Sequence, residues 1–219
     1  MKLELVKEVI ELVHQFELEN GHGNTQMMDV SGFKKWISAQ ETSSTLEEPD
    51  WEGKKNGRSA GSIINTFFVH LNRYAKNYTK SAIHGSGFAT QDDLIYLITL
   101  KSYGAMSKME LIKKNVHDKP AGIQIINRLI QLGWVTQTHS QTDKRSKVLQ
   151  ITDEGQQALE AQMPKTRMAS QIVTGNLDTV EKMELIRLLS KLNDFHHPIY
   201  SKNIETSALL EVAYNELKP

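Results

Sequence analysis

The sequence predicts a mainly α-helical fold carrying one small β-hairpin, and three observations support that class. Apolar residues recur at helical spacing over most of the 219 residues. The period switches to two over one stretch only, residues 134–151. Helix-start signals stand in close order ahead of that switch: Thr90 with Asp92 and Asp93, Ser107 with Glu110, and Asp118 followed by Lys119 and Pro120.

In chain order, Leu5, Val9, Leu12 and Phe16 form an apolar stripe that Val6, Ile10 and Val13 widen, which predicts a helix over 2–19 ended by Gly21 and Gly23. Phe33, Trp36 and Ile37 suit a short helix. Residues 40–62, rich in Ser, Gly and charge, read as an irregular linker. Ile64, Phe67, Phe68, Leu71, Tyr74 and Tyr78 then share one side of a long helix over 62–83. Thr90 caps a helix running to about Ser102, with acids in the first turn where the helix dipole favours them. Ser107 and Glu110 form a capping box, stapled by Met106 and Leu111, for a short helix ending near Asn115. Asp118 caps the next helix, whose stripe is Ile123, Ile126, Leu129 and Ile130 and which Gly133 stops.

Residues 134–138 and 147–151 alternate as two strands around a polar turn, SQTDKRS. Thr152, with Asp153 and Glu154, opens a helix that Pro164 is expected to kink or interrupt. Asp178 and Glu181 box the start of another, running through Met183, Ile186, Leu189 and Leu192 to about Phe195, with Pro198 as its breaker. A last helix occupies 203–217. The organisation expected is an N-terminal helical extension and linker (1–60), a dimerisation helix (61–87), a compact helical and hairpin lobe (88–155) and C-terminal dimerisation helices (156–219).

Composition narrows the function classes. The chain has no cysteine, so disulfides, thiolate metal sites and cysteine nucleophiles are excluded. The N-terminal run MKLELVKEVIELVHQFELEN mixes charge with apolar residues, unlike a signal peptide or a membrane span, and a cytoplasmic protein is expected. Of the eight histidines, His14, His22, His70 and His84 lack a suitable partner at i, i+4 spacing and His196 and His197 are adjacent, and no G-x-S-x-G, H-E-x-x-H or P-loop pattern is present. No metal, no cofactor and no enzymatic activity are expected. Overall charge is zero, with 26 basic and 26 acidic residues, yet its distribution is uneven. Net charge is −4 over 1–60, +2 over 61–102, +5 over 103–152 and −3 over 153–219. The basic island therefore falls on the capped helices and the hairpin.

Helix, short helix, helix and hairpin, in that order over 90–151, is the order of a winged helix-turn-helix. Such a unit lays its second helix in the major groove, N-terminal residues toward the base edges. Here that helix begins Lys119, Pro120, Ala121, with Ala121 and Gly122 small enough for close approach. Gln124 and Asn127 carry amides suited to adenine edges. The hairpin supplies Lys144, Arg145 and Lys147, an arginine there suiting a narrow minor groove. Lys108, Lys113 and Lys114 are placed to meet phosphates. The alternative is an ordinary meander with solvated charges.

The run LGWVTQTHSQTDKRSKVLQITDEGQQAL resembles the wing of MarR-type regulators, with Gly133, Asp143, Arg145, Ile151, Thr152 and Gly155 in the motif positions. Asn127-Arg128-Leu129 likewise resembles the ending of that family's recognition helix, and the similarity extends from about Ser62 to His196. The resemblance implies that Arg145 enters the minor groove and that Asp143 supports the wing tip by pairing with it. It also implies a homodimer held by terminal helices, bound to double-stranded DNA at a palindromic operator, acting as a transcriptional repressor modulated by a small-molecule effector. With no cysteine, thiol oxidation is not the switch. Thr138 and His139 stand where the family often has arginines, and residues 1–60 and 203–217 have no counterpart in its pattern. A winged-helix protein-interaction module that does not bind DNA is the alternative function.

Overall fold

The structure, a computed structural model, describes residues 3–20, 28–44, 49–139 and 147–217. The chain divides into two compact units, 1–64 and 65–219. In the first, α1 (Leu3–Asn20) and α2 (Val30–Ser44) meet through Phe16, Phe33 and Trp36, whose ring centroids lie 5.5 to 5.9 Å apart. The Trp36 indole N–H donates to Glu19 at 2.8 Å. The stretch expected to be an irregular linker is more ordered than its composition suggests. α2 runs through Ser44, and a 3₁₀ turn forms at Lys54–Asn56. Trp51 organises that turn: its indole N–H donates to the Arg58 carbonyl at 2.8 Å, and the Lys54 ammonium lies 4.5 Å from its ring centroid.

α3 (Ala60–Ala82) leads into the second unit, where α4 (Gln91–Tyr103), α5 (Lys108–Lys114) and α6 (Lys119–Gln131) are followed by β1 (Val135–His139), β2 (Lys147–Ile151), α7 (Asp153–Thr174), α8 (Thr179–Ser201) and α9 (Thr206–Asn215). All three expected caps ahead of the hairpin form. Thr90 accepts from Asp93 N–H and Ser107 from Glu110 N–H, each with its reciprocal bond, and Asp118 accepts from Ala121 N–H at 2.8 Å. β1 and β2 pair antiparallel with Val135 opposite Ile151 and His139 opposite Lys147. A further bridge ties the hairpin to the approach to α5: Leu149 N–H donates to Met106 O at 2.7 Å and Met106 N–H to Leu149 O at 3.2 Å.

The core sits between these elements. Leu94, Tyr96, Leu97 and Leu100 of α4 pack with Leu111 and Ile112 of α5, Ile126 and Leu129 of α6, Leu149 of β2 and Leu159 of α7. Two helices continue through prolines, Pro164, expected to kink or interrupt its helix, and Pro198, expected to break its own. α7 runs through Pro164, held by buried Leu159 and Ala169 and by Gln162, whose amide N–H donates to Ala82 O at 2.8 Å. α8 runs through Pro198, beyond which Ile199 is buried and the Tyr200 hydroxyl donates to His117 O at 2.8 Å. An interior proline costs about 3 kcal/mol of helix stability, a cost that these anchoring contacts offset.

Candidate nucleic-acid interface

α6 is the element on which most of the expected contact residues lie. Its buried stripe is Gly122, Ile125, Ile126 and Leu129, an i, i+3, i+4, i+7 set. The stripe read from apolar residues alone, with Ile123 and Ile130 in it, is rotated: both are only partly buried. Gly122 accordingly faces the core and not DNA. A Cβ there would lie 2.4 Å from Ile112 Cγ1 and 2.9 Å from the Tyr96 hydroxyl. The absent side chain thus serves the close approach of α6 to α5 and α4.

The opposite side of α6 is a solvent-facing ridge. Pro120, Gln124, Asn127 and Gln131 are all exposed at i, i+4, i+7 and i+11 spacing, with Lys119 exposed and Ala121 half-buried in the first turn. Gln131 is a third amide on this ridge that the sequence reading missed, and its spacing from Asn127 was the available signal. The ridge offers paired donors and acceptors, the chemistry that reads base edges. Asp118 occupies the helix N-terminus as its cap, so cationic contact in this turn falls to Lys119.

Arg128, in the segment that resembles a recognition-helix ending, is structural. Its guanidinium donates from Nε to Asp93 at 2.8 Å and from Nη2 to Thr90 at 3.2 Å. Asp93 is fully buried, and it also accepts Ala89 and Thr90 N–H at 2.9 Å each. One carboxylate therefore joins the α4 cap to the ridge-bearing helix, and its buried charge is both paired and hydrogen-bonded.

The turn between α5 and α6 is fastened on three sides. The Thr99 hydroxyl lies 3.0 Å from Asn115 Oδ1, and the Asn115 amide donates to Leu111 O at 2.7 Å. The Tyr96 hydroxyl contacts His117 Nδ1 at 3.1 Å, with Asp92 3.8 Å from Nε2 on the other face of the ring. Burial, reinforced by the Asp92 charge, pushes the Tyr96 phenol well above its ordinary value, so it stays protonated. The Tyr200 phenol is likewise raised, by burial and then by Asp118. Val116, exposed at the apex, adopts φ 53°, a left-handed conformation that β-branched residues rarely take.

The hairpin is set by Thr152 and Gly155. The Thr152 hydroxyl donates to Gly133 O at 2.7 Å and accepts from Gly155 N–H at 3.0 Å, and Thr152 N–H donates to Trp134 O at 3.0 Å. A Cβ on Gly155 would lie 2.2 Å from that same Trp134 oxygen. Gly133, at φ 72°, turns the chain from α6 into β1. The Thr-x-x-Gly pattern is thus a clamp between α6, the hairpin and α7.

Of the basic residues, Lys147 is exposed at the start of β2 and Lys108 is half-buried at the first position of α5. Lys113 is exposed, whereas the Lys114 ammonium sits 3.9 Å from the Tyr103 ring centroid. Asp143, Lys144 and Arg145 lie outside the described residues. Among the described residues, no three histidine or carboxylate side chains are grouped to hold a metal ion, and no helix is long and apolar enough to cross a membrane.

Comparison with known proteins agrees with this geometry. A family model described as a winged helix DNA-binding domain matches residues 88–155. The HTH-type transcriptional repressor NicR of Pseudomonas putida is 29% identical over 105 residues, covering 48% of this chain and 66% of NicR, just under two thirds of its length. Among solved structures, BpsR of Bordetella bronchiseptica, whose DNA binding is regulated by 6-hydroxynicotinic acid, superposes with a TM-score of 0.55 at 21% identity, covering 60% of this chain and 98% of BpsR. Sco3205 of Streptomyces coelicolor, a MarR family transcriptional regulator in complex with DNA, gives a TM-score of 0.56 at 17% identity, covering 68% and 91%. At such identities the structural likeness establishes the fold.

Proposed function

We propose that this chain is a winged helix-turn-helix protein of the MarR type, a homodimeric transcriptional repressor binding a palindromic operator in the cytoplasm, a reading supported by the domain matched over 88–155 and the likeness to NicR and Sco3205. One observation carries the reading. Within the matched domain, α6 turns an uninterrupted ridge of Gln124, Asn127 and Gln131 to solvent, while its other side is locked into the core by Gly122 and Arg128. Gln124 and Asn127 read bases in the major groove, with Lys119, Pro120 and Ala121 at the helix entry. Lys108 and Lys147 meet phosphates, Arg145 with Lys144 enters the minor groove, and Asp143 supports the tip.

Apolar surface that one chain leaves in water supports dimerisation. Phe67, Leu71 and Tyr74 of α3, Val180, Met183 and Ile186 of α8 and Leu210 of α9 are all exposed. Apolar faces of this extent mark interfaces, and a stable one buries about 1,600 Å² in total. Two-fold pairing also supplies the second recognition helix that a palindrome requires. The regulation of BpsR by a small molecule supports an effector for this chain too, one that favours a particular spacing of the two recognition helices. Selection of bound sequences from random duplex DNA tests the whole reading. The expected product is a palindrome with half-sites about 10 base pairs apart; recovery of no enriched sequence overturns it.

A further inference from the structure

The lobe that runs from α4 to β2 is joined covalently to the rest of its unit at two places. The chain enters through the turn at 85–87, where Gly85 takes φ 75°, and leaves along α7. The first half of α7 belongs to the lobe: Leu159 is buried in its core and Glu160 pairs with Lys101 at 2.7 Å. Pro164 follows one turn later and has no N–H to bond back to Glu160 O. α7 is therefore weakest between that half and the half that borders α3 at Tyr78 and Ala82. Prolines are where long helices bend, so the exit from the lobe is a natural pivot.

What comes back to hold the lobe is α8. The Tyr200 hydroxyl, in its last turn, donates to His117 O at 2.8 Å, across 83 positions of sequence. Ile199 beside it is buried and borders the same cleft as Met109 and Ile112 of α5. Among the described residues this is the only hydrogen bond or ion pair from α8 to the lobe. Its acceptor is firmly seated, since the His117 ring meets the buried Tyr96 hydroxyl and the preceding Asn115 is bonded to Thr99 and Leu111. The next residue is Asp118, the cap of α6. One phenol thus ties the entry of the recognition helix to the end of α8.

We propose that Tyr200 is a positioning residue: by latching the entry of α6 to α8 it sets the separation of the two recognition helices, and with it the half-site spacing the dimer accepts. The assignment rests on the homodimeric regulator reading above. α8 carries Val180, Met183 and Ile186 of the apolar face that reading gives to the dimer, so the latch refers α6 to the two-fold axis. One added base pair moves a half-site by about 3.4 Å and turns it by roughly 35°. A latched dimer does not follow that displacement; an unlatched one follows it by bending at Pro164.

Tyr200→Phe removes the hydroxyl and keeps the ring, and two measurements on the full chain test the assignment. The chain has no cysteine, so a nitroxide on Gln131→Cys, at the exposed end of α6, reports the distance between the two recognition helices without DNA. Double electron–electron resonance should give one narrow distance with Tyr200 and a broadened distribution with Tyr200→Phe. On unlabelled protein, affinity is measured for the selected operator and for duplexes with one base pair added or removed between half-sites. Wild type should prefer its own spacing by about tenfold or more, and Tyr200→Phe should shrink that preference about fivefold, the weight of one neutral hydrogen bond. Its salt slope should not change, because no phosphate contact is lost. The proposal is overturned if the distance distribution is unaltered, if the spacing preference is unaltered, or if affinity falls equally on all three duplexes, as a merely structural role requires. Absence of any distance between labels overturns the dimer reading and this assignment with it. Should the distribution broaden while wild type binds no duplex, the latch on helix separation stands and the regulator reading falls.

Discussion

Substituting Gly122 by alanine separates two accounts of α6 that make opposite predictions. In a solvent-facing helix position, alanine in place of glycine stabilises by roughly 1 kcal/mol through helix propensity. At the observed position the new Cβ would lie 2.4 Å from Ile112 Cγ1, 1.0 Å inside the 3.4 Å lower limit of ordinary contact, and 2.9 Å from both Ile112 Cδ1 and the Tyr96 hydroxyl. Ile112 is 1% exposed and Tyr96 fully buried, so neither can swing aside. Overpacking of this kind costs about 1–3 kcal/mol. The clash at Ile112 sits close to the backbone, which places the cost at the upper end and leaves the variant about 1–2 kcal/mol less stable than wild type. Urea unfolding followed by circular dichroism measures this directly. In a double-mutant cycle with Ile112→Ala, which removes the clashing Cγ1, the two substitutions should couple favourably by about 1–2 kcal/mol. A stabilised Gly122→Ala protein, or strict additivity with Ile112→Ala, would refute the placement of Gly122 in the core and return it to the DNA face.

Other substitutions test neighbouring parts of the same scaffold. Gly155→Ala drives a Cβ into the Trp134 carbonyl, which is backbone and cannot rotate away, and should cost about 2–3 kcal/mol in the same unfolding assay. Val116→Gly should raise stability by about 0.5–1 kcal/mol, because relief of a left-handed β-branched residue, worth roughly 1–2, exceeds the added unfolded-state entropy of roughly 0.4–1. Glu110, hydrogen-bonded by Ser107 in the α5 capping box, is held below the usual carboxylate range. Its contribution is present above the unfolded value of about 4.3 and is lost as pH falls through the lower folded one. The stability difference between wild type and Glu110→Gln should therefore be greatest near neutrality and vanish in acid; a difference unchanged down to about pH 2 would contradict it.

Much of the lobe was legible because its boundaries are written in local chemistry. Thr90, Ser107 and Asp118 bond to backbone N–H groups three residues on, so their positions declare where helices start whatever the tertiary context. The two strands were legible because only a period of two buries Val135 and Leu149 together. What failed was information carried by partners distant in sequence. Pro164 and Pro198 look like breakers locally, and only the contacts of Gln162 with Ala82 and of Tyr200 with His117 explain why the helices continue. The structural role of Arg128 is not legible locally because its partner Asp93 lies 35 residues away. Gly122 was misassigned for a subtler reason: a glycine contributes nothing to an apolar stripe, although the spacing to Ile125, Ile126 and Leu129 places it there. The ordered turn at 51–58 was hidden by its polar composition, since one tryptophan and backbone bonds such as Arg58 N–H to Gly53 O hold it.

The central claim is that α6 and the wing bind DNA specifically, and the most direct measurement is affinity for the selected operator and for a scrambled duplex over 50–200 mM salt. Wild type should prefer the operator by about a thousandfold or more, with affinity falling steeply in salt. Asn127→Ala should erode that preference at one base position by about 1–3 kcal/mol while leaving the salt slope unchanged. Arg145→Ala should weaken operator binding and flatten the slope. Equal affinity for both duplexes, or an operator affinity indifferent to salt and to both substitutions, would contradict the account.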